Sequence, residues 1–226
     1  MDEADFAIVR RNMLFRNIDE ALAREMVGDR TPRPLRKGQV LFLQGDLIDS
    51  LHIVVTGWIK LYRATEDGTD TVVAVNGPGQ SFGEAAALLG IPAHAGAEAA
   101  ADSRILTLDA ERLRSRLTAD PDLAFPILAS ASMHLRVMVE ELEQLKSLPA
   151  TRRIAGFLAD LAGPAKGAIE VVFPYEKTLI AGRLGMTPES FSRGLAKLRD
   201  LGVGVDRERV SIARVETLRR MARGEE

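Results

Sequence analysis

Seven residues near the C-terminus, Thr187-Pro188-Glu189-Ser190-Phe191-Ser192-Arg193, join helix-starting chemistry to a cluster of hydrogen-bonding side chains. Thr187 is a good N-cap, Pro188 suits the first helical position, and Glu189 favours the positive helix start. Glu189, Ser190, Ser192 and Arg193 then fall in the first turns. If this helix is the second of a helix-turn-helix, that is the end from which base edges are contacted. The surrounding spacing supplies such a pair. Leu179, Ile180 and Leu184 form one apolar stripe; Phe191, Leu195 and Leu198 form another at four- and three-residue spacing, with Gly185 between them. Two helices joined by a short turn containing glycine offer the second to a DNA major groove. The same spacing also fits an ordinary αα-corner, so the rest of the chain must decide.

At 226 residues the chain has room for one large or two ordinary domains, and its 46% apolar and 27% charged content is that of a globular protein. The net charge of −2 is unevenly placed. Residues 1–150 hold 16 Lys+Arg against 22 Asp+Glu, whereas residues 151–226 hold 14 against 10. The basic excess thus sits with the helix-turn-helix pattern, as a phosphate-facing module requires. The absence of cysteine excludes disulfides, thiolate zinc sites, Cys-ligated iron–sulfur clusters and a cysteine nucleophile. The opening MDEADFAIVRRNM lacks a signal peptide's apolar core, and no window approaches ~18 uninterrupted apolar residues. The expectation is a cytoplasmic protein with no membrane partner.

The elements that must position the C-terminal cluster follow from the patterning. Ala4–Arg11 and Glu20–Val27 read as helices, the second capped by Asp19 or Asn17, ended by Gly28 and followed by a break at Thr31-Pro-Arg-Pro-Leu. From Arg36 to about Leu108, glycines punctuate β-rich runs at Val40–Leu43, Leu51–Val55, Trp58–Arg63, Thr71–Val75 and Ile105–Leu108. Glu66-Asp67-Gly68 is a hairpin signal. Evenly spaced short strands argue for a rolled antiparallel sheet. Inside it, FGEAAALLG (Phe82–Gly90) is helix-prone and starts from a glycine turn, a place where backbone N–H groups can meet an anion. Asp109–Arg116 reads as a short helix, and Asp120-Pro-Asp caps a longer one. Along Asp122–Leu148, Ala124, Leu128, Ala131, Leu135, Met138, Leu142 and Leu145 alternate spacings of four and three, a narrow a/d seam that suits a parallel dimer. Pro149 ends it. Thr151–Ala162 is helical, Ile169–Phe173 a strand, and Val203–Val205 with Val210–Ala213 a hairpin beyond the helix-turn-helix, which makes a winged helix. Val215–Ala222 closes as a helix.

With PGQSFGEAAALLG and TPESFSRGLAKLRDLGV in this order, the chain resembles the Crp/Fnr superfamily of bacterial transcription regulators from about Leu35 to the end. IEVVFPYEKTLIAGRLGMTPESFSR and TEDGTDTVVAVNGPGQSFGEAAALLGIP are most similar to its Dnr-type branch, which responds to nitric oxide. The resemblance implies an α+β fold. A sensor domain, a double-stranded β-helix or cyclic-nucleotide-binding-like β-roll, would span residues 1–119, a dimerisation helix 120–148, and a winged helix-turn-helix 149–226. It implies a homodimer that binds double-stranded DNA, with RNA polymerase as a further partner and no enzymatic activity. The Glu-x-x-Ser-Arg recognition pattern stands here as Glu189, Ser192 and Arg193. A carboxylate can accept from cytosine N4, an arginine can fork onto guanine O6 and N7, and a serine can serve several edges. Pro188 and Ser192 replace the arginine and glycine of a Crp-type pattern, so the implied operator resembles TTGAT–N4–ATCAA. Lys177, Thr178, Arg183, Thr187, Ser190 and Lys197 are the implied further DNA contacts, chiefly to phosphates.

For sensing, the resemblance points to an effector pocket at Gly83, Glu84 and His94. In cyclic-nucleotide-binding relatives the Phe-Gly-Glu glutamate takes the ribose and an Arg-Ser pair takes the phosphate. Phe82-Gly83-Glu84 is present, but His94-Ala95 stands where the Arg-Ser pair is expected. A neutral imidazole and a methyl do not replace a bidentate guanidinium, which argues against cyclic AMP and leaves Glu84 as a cap for the short helix. Heme b is the alternative that the Dnr-type branch implies, with His94 the candidate axial ligand, since His52 reads as a half-buried strand residue and His134 as an interface group. The alanines around His94 suit either a flat apolar ligand or plain sheet packing. No other metal site is indicated. The competing functional reading is an effector-binding regulatory protein whose winged helix contacts a protein partner in place of DNA.

Overall fold

A computed structural model describes residues 1–64, 70–120, 124–125, 127–129, 132–133, 135–136 and 148–225. The chain divides into two units, Met1–Met138 and Val139–Glu226. The first opens with α1 (Glu3–Val9) and α2 (Glu20–Val27). Strands β1 (Arg33–Leu35), β2 (Val40–Phe42), β3 (Ser50–Thr56), β4 (Ile59–Ala64), β5 (Asp70–Asn76) and β6 (Ser81–Phe82) follow. Then come α3 (Glu84–Leu89), β7 (Gly96–Ala99), β8 (Ser103–Asp109) and α4 (Ala110–Ala119).

The strands make two antiparallel four-stranded sheets, ordered β1-β8-β3-β6 and β2-β7-β4-β5. Successive strand residues point to opposite faces, so the apolar run of β3 serves two cores at once. Leu51, Ile53 and Val55 join Leu106 and Leu108 of β8 beneath Phe6, Val9, Phe15 and Val27 of the N-terminal segment. Val54 and Ile105 turn the other way, into the roll, where they meet Phe42, Ile59, Phe82, Ala97 and Ala99. The N-terminal segment is pinned as well as packed. Buried Asp5 accepts from both Arg104 nitrogens at 2.9 and 2.6 Å, and buried Asn12 donates to the Gly79 carbonyl at 3.0 Å.

The expected strands are found, with ends one or two residues different, and α2 begins at its Asp19 cap as expected. The prolines around Arg33 lie beyond the end of α2, as expected, and fall in and beside β1, a short edge strand paired to β8. One feature corrects the sequence reading. Gly96–Ala99 is a strand despite its small residues: it pairs with both β2 and β4, and the Tyr62 ring covers Gly96. The Glu66-Asp67-Gly68 turn lies outside the described residues, although β4 and β5 flank it as an antiparallel pair.

Beyond α4, residues 124, 125, 127–129, 132, 133, 135 and 136 are helical. Ile127 packs on the core under α1 and α2, whereas Leu128 and Leu135, seven residues apart, are 65% and 62% exposed. Ala124 is exposed as well, and the other seam positions, Ala131, Met138, Leu142 and Leu145, lie outside the described residues, as does His134.

The second unit contains α5 (Ala150–Leu161), β9 (Ile169–Val172), α6 (Lys177–Arg183), α7 (Pro188–Lys197), β10 (Val203–Asp206), β11 (Arg209–Ile212) and α8 (Val215–Arg223). Its sheet runs β10-β11-β9, antiparallel throughout, so the expected strand at Ile169 completes the wing. Ile154 and Leu158 of α5, Ile180 of α6, Phe191 of α7, Leu198, Val210 and Leu218 are fully buried. This core holds α7 against α5 and leaves its other face outward.

Candidate nucleic-acid interface

The turn between α6 and α7 is built from its glycine. Gly185 has φ +61°, the left-handed conformation that residues with a Cβ adopt at a cost. Its N–H donates to the Gly182 carbonyl at 3.0 Å, and the Met186 N–H donates to Ala181 at 3.0 Å. That pair of bonds closes α6 as a Schellman motif and redirects the chain within three residues. Thr187 then caps α7, its hydroxyl accepting from the Ser190 N–H at 3.2 Å.

Along α7 burial alternates with exposure. Phe191, Gly194 and Leu195 face inward; Glu189, Ser192, Arg193 and Lys197 are exposed. The inward face is seated on aromatic rings: Phe173 lies 6.2 Å from Phe191 and 6.5 Å from Phe157, centroid to centroid. Gly194 lets α7 approach α5 closely, since a Cβ there would come 2.3 Å from Ile154 Cδ1. The three expected base readers therefore share the outer face of a helix whose inner face is fixed. Glu189 is held below the usual carboxylate range by its own backbone N–H, then by Thr187 and the positive charge of Arg193. At neutral pH it is an acceptor, as a contact to a cytosine amino group requires.

The other expected contacts are less uniform. Thr178 and Lys197 are exposed on α6 and α7. Lys177 lies over the Phe173 ring at 5.8 Å, and Arg183 donates to the Tyr175 hydroxyl at 3.0 Å. Both cations are thus tied to the aromatic residues that precede α6 while remaining exposed. Sequence patterning did not single out Tyr175, which is buried with its hydroxyl pushed up from the ordinary range by burial and partly restored by Arg183. The available signal was the eight-residue interval between an aromatic hydroxyl and an arginine flanking one short helix.

In the first unit, Gly83 has φ +84° and starts α3 without a side-chain cap, so Glu84 sits in the first helical turn and does not cap the helix. Arg114 of α4 closes the other end, donating to the Leu88 carbonyl at 2.9 Å and to Ala87 at 3.3 Å. His94 is exposed in the bend between α3 and β7. The alanines beside it are used in packing: Ala93, Ala97 and Ala99 belong to the core inside the roll. His52 is more deeply placed than expected, at 6% exposure. The register sets it opposite Thr107 on one side and Phe82 on the other. Its Nδ1 lies 3.1 Å from Thr107 Oγ1, and its ring is 5.2 Å from Phe82 and 6.0 Å from Phe42. Among the described residues no group of three or more His, Cys, Asp or Glu side chains could hold a metal ion. No helix among them is long and apolar enough to cross a membrane.

A β-roll followed by a winged helix-turn-helix, with a chemically varied recognition helix facing outward, defines a DNA-binding transcription regulator. The cyclic nucleotide-binding domain family matches residues 32–120, and the Crp-like helix-turn-helix domain family matches residues 152–221. The nitrogen fixation regulation protein FixK of Rhizobium meliloti is 31% identical over 196 residues, which cover 86% of this chain and 88% of that protein. The CRP-like cAMP-activated global transcriptional regulator of Mycobacterium tuberculosis is 26% identical over 228 residues, covering 99% and 100%. Among solved structures, a Ruegeria pomeroyi protein described as a candidate cyclic nucleotide binder superposes with TM-score 0.81 at 39% identity, over 98% of both chains. DNR from Pseudomonas aeruginosa superposes with TM-score 0.57 at 27% identity, over 97% of this chain and 98% of that one. The chain belongs to the Crp/Fnr family of transcription regulators, and these relatives are regulators rather than enzymes.

Proposed function

We propose that the chain acts as a homodimer that reads a palindrome of the form TTGAT–N4–ATCAA. The observation that carries this reading is the outward presentation of Glu189, Ser192 and Arg193 on a helix anchored by Phe191, Gly194 and Leu195. Arg193 would fork onto the guanine of each half-site, Glu189 would accept from a cytosine amino group, and Ser192 would serve a neighbouring edge. Exposed Leu128 and Leu135 supply an apolar stripe for a second copy's helix, so that two recognition helices reach successive major grooves about 34 Å apart. RNA polymerase is the partner through which such a dimer would act on transcription.

Fluorescence anisotropy on the palindrome and on scrambled DNA, at one fixed salt concentration, tests the reading. Wild type should prefer the palindrome, and Arg193→Ala should lose ~1–3 kcal/mol of that preference. Equal affinity for both DNAs would refute base reading. Leu128→Lys with Leu135→Lys should shift the sedimentation profile toward monomer.

The effector is proposed to be something other than cyclic AMP, because His94-Ala95 stands where the phosphate-holding Arg-Ser pair is expected. Heme b is the proposed group, with the exposed imidazole of His94 as its protein ligand; when bound it would supply an iron centre for nitric oxide. A Soret band of heme-reconstituted protein that is lost in His94→Ala would support this assignment. An unchanged band would discard His94, and saturable heat on titration with cyclic AMP would overturn the exclusion.

A further inference from the structure

Reading a base with arginine requires the guanidinium to be oriented, and restricting a free arginine side chain costs rotamer entropy. One hydroxyl on α7 is placed to do this in advance. Ser190 Oγ accepts from Arg193 Nη2 at 3.1 Å and from Thr187 Oγ1 at 3.2 Å, while the Ser190 N–H donates to Thr187 Oγ1 at 3.2 Å. The interval of three residues sets Thr187, Ser190 and Arg193 in one line along the helix. Ser190 is half-buried between two exposed neighbours, so its hydroxyl is the fixed point of that line. The two bonds to Thr187 tie it to the helix cap.

From this line of contacts we infer that Ser190 is a positioning residue for base reading, holding the Arg193 guanidinium in place, and not a phosphate contact. The inference rests on Arg193 being the guanine reader proposed above. Hydrogen-bond stoichiometry permits both tasks at once. A guanidinium has five N–H donors and a fork onto guanine uses two, so one Nη2 hydrogen can stay on Ser190 while the other reaches the base. A neutral hydroxyl suits the role better than a carboxylate, which would hold the cation more strongly and compete with guanine for it.

The test compares wild type, Ser190→Ala and Ser190→Thr as full-length protein on three duplexes: the palindrome, the palindrome with the guanine of one half-site changed to adenine, and scrambled DNA. The slope of log affinity against log salt is measured on each, and circular dichroism melting checks the fold. Wild type should disfavour the changed base about 5- to 150-fold. Ser190→Ala should lose about fivefold of that discrimination with an unchanged salt slope and melting temperature, and Ser190→Thr should retain it. A Ser190→Ala protein that keeps full discrimination overturns the inference. So does one that weakens equally on all three duplexes, which marks a lost contact to the sequence-independent backbone; because serine is neutral, that loss too leaves the salt slope unchanged. A wild type without discrimination refutes the base-reading proposal itself, and the inference with it.

Discussion

Acidification should destabilise the first unit through His52. Its imidazole is buried among Phe42 and Phe82, and burial, reinforced by the charge of Arg33 and opposed by Asp49, lowers its pKa from 6.5 to about 4. The unfolded chain therefore takes up a proton near pH 6.5 that the folded chain refuses until about pH 4. Stability from this group is complete above pH 6.5 and is lost as the pH falls from 6.5 to about 4. At ~1.4 kcal/mol per pH unit, the interval corresponds to about 3 kcal/mol. Trp58, the only tryptophan, lies in the roll with its ring against Gly77, so its fluorescence reports urea unfolding of this unit. The comparison is with His52→Phe, which keeps a ring between Phe42 and Phe82 but cannot be protonated. Loss of the Thr107 partner should shift its whole curve by ~1 kcal/mol. Carboxylates titrate alike in both proteins, so the difference isolates the imidazole. Parallel pH profiles for wild type and His52→Phe between pH 6.5 and 4 would refute the reasoning.

Three further outcomes are expected. Gly194→Ala gains up to ~1 kcal/mol of helix propensity but drives a methyl against buried Ile154 Cδ1, so a net loss of about 1–2 kcal/mol should appear in denaturant unfolding. Ile154→Val removes the clashing atom; the double variant should be more stable than the two single changes sum to, and additivity would show that the close approach carries no energy. Gly83→Ala forces a Cβ onto a residue at φ +84° and to within 3.1 Å of Ile48 Cδ1, which should cost about 1–2 kcal/mol and lower the melting temperature of the first unit. Asp5→Ala should destabilise that unit by ~1–3 kcal/mol, because it frees α1 from Arg104 on β8; an unchanged urea midpoint would remove that bond from the anchors of the roll.

What the sequence disclosed depended on how local the causes were. The α2 cap at Asp19, the turn at Gly185 and the cap at Thr187 arise from residues two to five apart, and each was readable from spacing. Strand β7 was not, because alanines and a glycine carry no strand preference and its place is set by two distant neighbours. His52 was read as half-buried for the same reason: its three ring and hydroxyl partners come from β2, β6 and β8 and meet only through register. At the recognition helix the chemical identity of the outward residues was legible. The tie from Ser190 to Arg193 was also local, yet its geometry depends on side-chain conformation, which spacing does not encode. Arg183 shows the converse, since its partner Tyr175 precedes α6 and appears only once the chain turns.

Burial on α7 is divided so that fold and target can change separately. Phe191, Gly194 and Leu195 hold the helix in place, while Glu189, Ser192 and Arg193 touch little of the protein's interior. Surface substitutions of that kind usually alter stability by less than ~0.5 kcal/mol. Under the base reading proposed above, a lineage carrying this scaffold drifts from one operator to another by single replacements at the three outward positions, each step passing through a folded protein. Thr187 and Ser190 set the boundary of that freedom, because they belong at once to the cap and to the reading face.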